Sequence, residues 1–425
     1  MKNFFKSLKN PLLWPFCLFG PIAYGGGNGI IFLLGFLCIS LFYKNFFLQK
    51  KSSRYAGSCF WDSLRSLSTP FIILFCFWAY MSLTIFWSFE PLYALKTTAR
   101  LFCLFLLTLT LIVQLRNLPY DLLEKCLSCF VISWGILILL LFLSLLLDVM
   151  GNKNACIHAI NFFKKPSQIT RPALFASLFF WPSCAFFIFK TKKFFFQKRS
   201  LLFQETLLLT LGISIISLTY FLNMAASSLG LFLGLCVYFF FRLYPFFFSS
   251  FLNTMIGLGL IFPFCTKYLF NSFAFISLHK PSWAHRLVIW DFVSKFIKQS
   301  PFIGWGLEAS RFLPTSTVEF FLPEKLSSLS LNTLPLHPHN AFLQVWLEGG
   351  VIGAFLLACF LWSLVSILKK SFPTSQEKAL LGGTFVTFLI PFYVSFGIWQ
   401  TWWLSTLCFI TILWFFLKNR IKSNN

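Results

Sequence analysis

The fold is decided by residues 127–147, LSCFVISWGILILLLFLSLLL, a run that holds no charged side chain. About 20 apolar residues are enough for one α-helix to cross the hydrocarbon core of a bilayer. A helix satisfies its own backbone hydrogen bonds in lipid, whereas an isolated strand does not. This stretch therefore predicts a transmembrane helix and makes the chain an integral membrane protein.

Comparable apolar runs recur from one end of the chain to the other. The chain is 58% hydrophobic and 11% charged, whereas soluble domains carry roughly 25% charged residues. We predict an all-α polytopic membrane protein with about 12 transmembrane helices, of which the first and fourth are short. The predicted spans are 11–24, 28–43, 70–88, 101–115, 127–147, 172–189, 201–221, 223–241, 252–272, 341–368, 379–397 and 402–417.

The basic residues predict which way the chain is oriented. Lys and Arg number 35 against 12 Asp and Glu, for a net charge of +23. With the N-terminus in the cytoplasm, 22 of these 35 fall on the cytoplasmic side and 13 on the other. Cytoplasmic loops carry the excess of Lys and Arg, so we expect a multi-pass inner-membrane protein with both termini in the cytoplasm. The charge is thereby explained without nucleic-acid binding, for which no basic-aromatic module is present.

The predicted spans divide the chain into three parts. These are 1–272 with nine N-terminal helices, a large periplasmic loop at 273–340, and 341–425 with three C-terminal helices. Within the loop, 284–299 has helical spacing and Pro301 ends it. Its apolar side holds Ile289, Val293, Phe296 and Ile297, and its polar side holds Asp291, Lys295 and Lys298. Such an amphipathic, mildly basic helix is expected to lie in the membrane interface.

The densest group of polar side chains lies where this loop enters the next helix, in 336–353, LHPHNAFLQVWLEGGVIG. His337 and His339 stand at the predicted membrane surface, and Asn340, Gln344 and Glu348 follow four residues apart on one helix face. Polar groups within a span are costly and usually face a cavity or a partner. We therefore take this stripe as a candidate site. The alternative is that the histidines are ordinary loop residues and the stripe only pairs with a neighbouring helix.

Glycines form a second pattern on the same helix. Gly349 is followed four residues later by Gly353, and Gly350 by Ala354 and Ala358. Small residues at this spacing let a neighbouring helix approach closely in membranes. We expect these three glycines to be helix-packing positions.

The combined pattern resembles a known family. His339-Asn340, nine residues, then Gly350-x-x-Gly353 is similar to the signature of the O-antigen ligase superfamily of bacterial membrane enzymes. The preceding Arg286-x-x-x-Trp290 and the stretch 301–306, PFIGWG, resemble that family's usual lead-in. The stretch 171–175, RPALF, is similar to an earlier family motif, more loosely.

The resemblance implies a GT-C-like architecture and a glycan transfer at the periplasmic face. The donor would be a glycan on undecaprenyl pyrophosphate, and the acceptor a sugar hydroxyl on lipid A–core or on a growing glycan. The transfer would be inverting, with no metal and no cofactor. Membrane lipids are the remaining expected partners.

Each candidate side chain suits a step of that transfer. A neutral imidazole, here His339, can take the proton of an attacking hydroxyl. Arginine binds phosphate through its planar guanidinium group. Arg286 is therefore the first candidate for binding the pyrophosphate, and Arg171 and Arg311 are the next. Supporting roles fall to His337, Asn340, Gln344 and Glu348. Each arginine has the alternative of anchoring the protein to lipid phosphates.

One stretch departs from the family pattern. Many members carry an arginine in a Ser-Arg-Gly context near the outer end of a middle helix. The corresponding residues here, 223–230, read NMAASSLG and hold no basic side chain. Either another arginine takes that place or the site is altered, and an inactive descendant with a structural role is then a third hypothesis.

The main alternative function is a transporter or flippase of lipid-linked glycans, because about a dozen helices is also a common transporter size. A transporter is expected to show an internal repeat and interrupted helices near the middle of the membrane. No repeat is evident, and the polar residues gather at one predicted surface. The sequence favours an enzyme, and it leaves ligase and polymerase undecided because these differ only in the acceptor.

The predicted topology can be tested with reporter fusions. We expect Ser328 to face the periplasm and Lys193 to face the cytoplasm, because the cluster Lys190–Arg199 belongs to the basic excess. Paired alkaline-phosphatase and fluorescent-protein fusions at these two positions should give opposite signals. The same signal at both positions would contradict this topology.

Overall fold

The computed structural model describes residues 10–43, 69–115, 118–151, 169–191, 198–273, 281–315, 317–322 and 327–424. Part of the basic cluster Lys190–Arg199, including Lys193, lies outside these residues. The helices are α1 (Trp14–Cys17), α2 (Phe19–Gly25), α3 (Gly29–Tyr43), α4 (Thr69–Leu83), α5 (Pro91–Leu115), α6 (Tyr120–Gly151), α7 (Thr170–Thr191), α8 (Lys198–Phe221), α9 (Ala225–Leu243), α10 (Phe248–Phe273), α11 (Pro281–Gln299), α12 (Ala341–Ser371), α13 (Ser375–Val394) and α14 (Thr401–Asn424). Two strands, β1 (Thr317–Leu322) and β2 (Ser327–Asn332), separate α11 from α12.

The helical fold class is confirmed, and the chain is a multi-pass membrane protein. Within the described residues, ten helices are long and apolar enough to cross a membrane. The prediction of about 12 needs correction at the N-terminus. The first predicted span is divided at Leu18 into α1 and α2, where Pro21 has no N–H to continue the hydrogen bonds of α1. α3 is a shorter apolar helix.

The fourth predicted span was too short. It was expected at 101–115, but α5 begins at Pro91 and continues to Leu115. Proline is favoured at a helix start because its fixed φ suits the first turn. Lys96 and Arg100 lower the hydropathy of that first half, and this hid it from the apolar-run criterion.

The large loop contains structure that the sequence did not predict. β1 and β2 pair as an antiparallel hairpin in which Thr317 lies opposite Asn332 and Leu322 opposite Ser327. The amphipathic segment is helical, as α11. However, Ile289, Val293 and Ile297 are buried, and the helix packs against α10 and α12. Its apolar face is thus covered by protein, which differs from the lipid-facing orientation expected of an interfacial helix.

The centre of the bundle is built on α7, α9 and α13. α7 is buried along 94% of its most apolar stretch. Gly230 and Gly234 let α9 approach α13, since an added Cβ at Gly230 would lie 3.0 Å from the carbonyl oxygen of Thr387. The Thr387 hydroxyl accepts a hydrogen bond from Trp181 of α7 at 2.8 Å. Close backbone packing through small residues is the usual way for helices to associate in membranes.

Helix α12 is interrupted two turns after its start. Gly350 has φ of +61° and ψ of −161°, outside the helical region. The 301–306 segment docks on this break. Four backbone hydrogen bonds join them: Trp305 N–H to Leu347 O at 2.8 Å, Gly306 N–H to Glu348 O at 2.9 Å, Val351 N–H to Pro301 O at 2.8 Å and Ile352 N–H to Phe302 O at 3.5 Å. The break leaves these backbone groups of α12 without hydrogen-bond partners inside the helix, and the docked loop supplies the partners.

The three glycines of α12 therefore differ in their surroundings. Gly349 and Gly353 face α4, where an added Cβ would meet the sulfur of Met81 at 2.7 and 3.3 Å. Tyr80 of α4 donates its hydroxyl to the carbonyl of Gly349 at 2.8 Å. The helix-packing prediction is wrong for Gly350, because an added Cβ there would collide with the Phe302 carbonyl of the docked loop.

We expect Gly350→Ala to destabilise the folded protein by at least about 2 kcal/mol, since it combines left-handed strain with a clash against backbone. The midpoint of thermal denaturation in detergent measures the effect. Gly257→Ala in α10 is the matched control, because nothing lies within 4 Å of its added Cβ and alanine favours helix. Equal midpoints for the two variants would contradict this account of the break.

Candidate active site

The histidine segment is anchored by the arginine-tryptophan helix that precedes it. Trp290 of α11 donates its indole N–H to the carbonyl of Pro338 at 3.1 Å. This bond holds the residue between the two histidines, whose ring centroids lie 4.4 Å apart in an edge-to-face arrangement. His339 has a left-handed φ of 53°, which turns the chain immediately before α12 begins. The two motifs are separated in sequence and joined in space.

His339 is held in one protonation form by a backbone contact. Its Nδ1 lies 2.6 Å from the carbonyl oxygen of Ser395, and a carbonyl can only accept, so Nδ1 carries the hydrogen. In the neutral ring, Nε2 then keeps a free lone pair. Burial lowers the pKa of His339, and the charge of Arg286 lowers it further, against the opposing effect of the Ser395 bond. The ring is thus a neutral proton acceptor near pH 7.

His337 has a partner for each ring nitrogen. Its Nδ1 accepts the backbone N–H of His339 at 3.3 Å. Its Nε2 lies 3.0 Å from the side-chain amide of Gln400, whose Oε1 has no other partner among the described residues. With that amide turned over, Oε1 accepts the Nε2 hydrogen, and both ring nitrogens of His337 are satisfied. His337 then has no lone pair left for a substrate.

The polar stripe of α12 meets a buried network. Glu348 is fully buried and its carboxylate accepts four hydrogen bonds. The donors are Glu308 N–H at 2.9 Å, Ser310 Oγ at 3.0 Å, Gln344 Nε2 at 3.0 Å and Trp399 Nε1 at 2.6 Å. A buried charge persists only with such compensation. Glu348 therefore organises the site from behind.

The remaining stripe residue, Asn340, caps α12. Its Oδ1 accepts the backbone N–H of Leu343 at 2.9 Å, which satisfies one of the orphan donors at a helix start. Its Nδ2 is buried with no partner among the described residues. Asn340 is placed to fix where α12 begins, directly after His339.

The loop between α13 and α14 closes around the histidine segment. The Ser395 carbonyl holds His339, Ile398 N–H donates to Gln344 Oε1 at 3.0 Å, and Trp399 and Gln400 hold Glu348 and His337. Sequence analysis predicted no site residue here. The only local signal was a cluster of aromatic and amide side chains between two predicted spans, and the contacts themselves are non-local.

A cleft of about 220 Å³ opens beside His337. Its polar lining comes from segments far apart in the sequence. Those lining residues are Asn28, Arg100, Arg171, Glu308, Arg311, His337, Gln344, Gln400 and Thr401, and Trp399 and Trp402 form an aromatic wall. Three arginines face one carboxylate, so the lining carries a net charge of +2. The cleft is suited to an anion.

The arginines of the cleft are held differently. Arg171, at the start of α7, stacks over the Trp402 ring at 5.0 Å and pairs with no carboxylate of the described residues. Arg311 donates its Nε to Glu308 at 2.7 Å. Arg100 approaches the same carboxylate at 3.8 Å. The sequence predicted Arg171 and Arg311 as candidates but missed Arg100, which it placed in a loop and counted only as a charge.

Arg286 and His339 do not line this cleft. Arg286 donates to the carbonyl of Ser282 at 2.9 Å, and burial lowers its pKa. Its charge acts on His339, whereas that of Arg311 acts on His337. Of the predicted arginines, Arg171 and Arg311 therefore line the cleft, and Arg286 does not.

Comparison with known proteins indicates the family to which this chain is related. Residues 211–358 match the family model described as O-antigen ligase. The chain is related to the O-antigen ligase family. The predicted resemblance is thereby confirmed, and the matched region includes Arg286, both histidines and Glu348 but excludes Arg100 and Arg171.

Curated relatives carry a similar description. A Rickettsia felis protein named "Putative polysaccharide ligase" is 31% identical over 192 residues, 44% of this chain and 46% of that protein. A similarly named Rickettsia typhi protein is 37% identical over 136 residues, 32% of each. The chain thus spans less than half the length of the curated relatives it matches. No solved structure is significantly similar to it.

His337 should make the folded protein sensitive to acid. Burial, followed by the charges of His339 and Arg311, lowers its pKa from 6.5 to about 4. The unfolded state then binds more protons between these values, so stability is complete above about pH 6.5 and falls as the pH drops toward 4. The thermal midpoint in detergent should fall over this range, and it should fall less in His337→Gln. His285→Gln, which lies outside the cleft, should behave like the wild type. An identical acid loss in His337→Gln would exclude His337 as its source.

Proposed function

We propose that the protein is a membrane glycosyltransferase of the ligase or polymerase type. It transfers a glycan from undecaprenyl pyrophosphate to a sugar hydroxyl, on lipid A–core or on a growing glycan, at the periplasmic face of the inner membrane. The observation that carries the proposal is a pair of neutral histidines in contact, beside a cleft that three arginines line. The relatedness to O-antigen ligases supports the same reaction class.

In the proposed reaction His339 is the general base. Nδ1 is committed to Ser395, so the free lone pair of Nε2 takes the proton from the acceptor hydroxyl. The hydroxyl oxygen bonds to the anomeric carbon of the donor sugar while the bond from that carbon to the phosphate oxygen breaks. Attack opposite the leaving group inverts the anomeric configuration. The polyprenyl pyrophosphate departs with the bonding electron pair.

Arginine supplies the positive charge that the leaving group needs. The charge of Arg286 acts on His339, and Arg171 and Arg311 line the cleft next to His337. We propose that all three contact the pyrophosphate, with charge-assisted hydrogen bonds that strengthen as negative charge develops. The transfer accordingly needs no metal ion.

The decisive experiment is transfer in vitro by the purified chain from a polyprenyl-pyrophosphate glycan. His339→Ala should lower kcat by about 10²–10⁴-fold, the usual worth of a positioned base, with little change in donor KM. Arg286→Lys should raise donor KM and lower kcat, because an ammonium group lacks the bidentate fork. Activity should survive chelators.

His337→Ala is the matched control for His339→Ala, since both remove an imidazole from the same segment. Its effect should be milder because both nitrogens of His337 already have protein partners. Loss of transfer in His337→Ala but not in His339→Ala would assign the base to the other histidine. Inhibition by EDTA would contradict the metal-free step.

A further inference from the structure

We infer that Arg100 is a further pyrophosphate-binding residue and that the buried Glu308 positions it together with Arg311. This inference rests on the proposed function, because the anion is the pyrophosphate of the donor. Arg100 lies outside the region matched by the family model and outside every motif noted in the sequence. The inference about Arg100 therefore rests on its contacts in the structure.

Glu308 joins two arginines from separate elements. Its side chain is only 3% exposed, against 50% for Arg100 and 27% for Arg311. Arg311 donates its Nε to Oε2 at 2.7 Å, and the hydroxyl of Thr97 donates to Oε1 at 2.8 Å. Arg100 donates an Nη to that same hydroxyl at 2.6 Å. The carboxylate is nearly buried at the wall of the cleft, and both cationic heads border the cleft.

The backbone of Glu308 is itself fixed. It has a left-handed φ of 64°, a conformation that a residue other than glycine keeps only when its surroundings hold it there. Its N–H donates to Glu348 at 2.9 Å. The carboxylate of Glu308 is therefore a rigid support, and the two arginines are oriented before any ligand arrives.

Charge balance indicates what the cleft can accept. A single carboxylate offsets only one of the three arginines that line it. The remaining charge of +2, to which Arg286 adds from outside the cleft lining, suits a pyrophosphate diester, which carries one negative charge on each phosphate. Arg171 stacks on Trp402 and leaves its guanidinium edge without a carboxylate among the described residues. Arg100 completes a set that surrounds the anion from α5, α7 and the 306–311 loop.

The test compares donor kinetics of the full-length protein in nanodiscs. Arg100→Gln should raise donor KM by about 10-fold, the worth of a hydrogen bond to a charged group, with kcat within about threefold and acceptor KM unchanged. Arg100→Lys should be intermediate, because it keeps charge but loses the fork. Arg242→Gln is the matched control: its guanidinium pairs with Glu205 at 2.8 Å beside the start of α13, away from the cleft.

Glu308→Gln tests whether Glu308 positions the two arginines. The amide keeps the size of the side chain but turns an N–H donor toward Thr97 or Arg311, which are themselves donors to the carboxylate. It should also raise donor KM by about 10-fold. In an Arg100→Gln, Arg311→Gln background it should add little, because its effect passes through those two arginines. Glu308→Asp should recover part of the loss.

Binding of undecaprenyl pyrophosphate, measured without acceptor, separates this inference from the proposed function. Weaker binding in Arg100→Gln and Glu308→Gln, with unchanged thermal midpoints, supports it. Unchanged donor KM and binding in Arg100→Gln would overturn it, as would full additivity of Glu308→Gln with the arginine changes. A wild-type protein that neither binds this lipid nor transfers glycan would instead refute the proposed function.

Discussion

The buried carboxylate of Glu348 is the interaction on which the site depends. Its four hydrogen bonds come from the 306–310 loop, from α12 itself and from the loop before α14. Removing one partner from such a network leaves a buried polar group unsatisfied, which costs about 1–3 kcal/mol. The network adds little net free energy of folding, because the desolvation cost of the buried carboxylate offsets much of the hydrogen-bond energy. Its main effect is to fix the positions of the segments that it joins. It holds three chain segments at one place.

The break at Gly350 makes that convergence possible. A continuous helix would use the carbonyls of Leu347 and Glu348 within α12, and the 301–306 segment would have no backbone to join. The break instead presents these groups sideways, where Trp305 and Gly306 bind them. The loop then continues to Glu308 and Arg311 of the cleft. A local departure from helical geometry thus delivers a distant loop to the site.

Hydropathy predicted most of the fold because the membrane acts on each span locally. Hydropathy did not predict the first half of α5, because Lys96 and Arg100 interrupt its apolar run although the backbone stays helical. The break at Gly350 was also missed, because a left-handed glycine and a helical glycine have the same sequence signal. Both errors arise where tertiary contacts override the local pattern.

The candidate site was predictable only where its residues are close in sequence. His337, Gln344 and Glu348 follow one another along α12 and its approach, so their common surface could be read from spacing. Arg100 of α5 and Gln400 of the loop before α14 reach the cleft that His337 and Gln344 line, and nothing in their own sequence neighbourhoods indicates it. The hairpin was missed for a related reason, since its register depends on cross-strand pairing.

Contact between the two histidines also constrains the proposed reaction. Two imidazolium rings with centroids 4.4 Å apart would repel each other strongly, so only one ring can hold an extra proton. The low pKa of His337, about 4, keeps that ring neutral. His339 can therefore take the acceptor's proton while its own Nδ1–H stays bound to the Ser395 carbonyl, which stabilises the cation that forms. In this arrangement His337 contributes by remaining uncharged. The charge of Arg286 lowers the pKa of His339, and the proposed role of the arginines is to stabilise the leaving group.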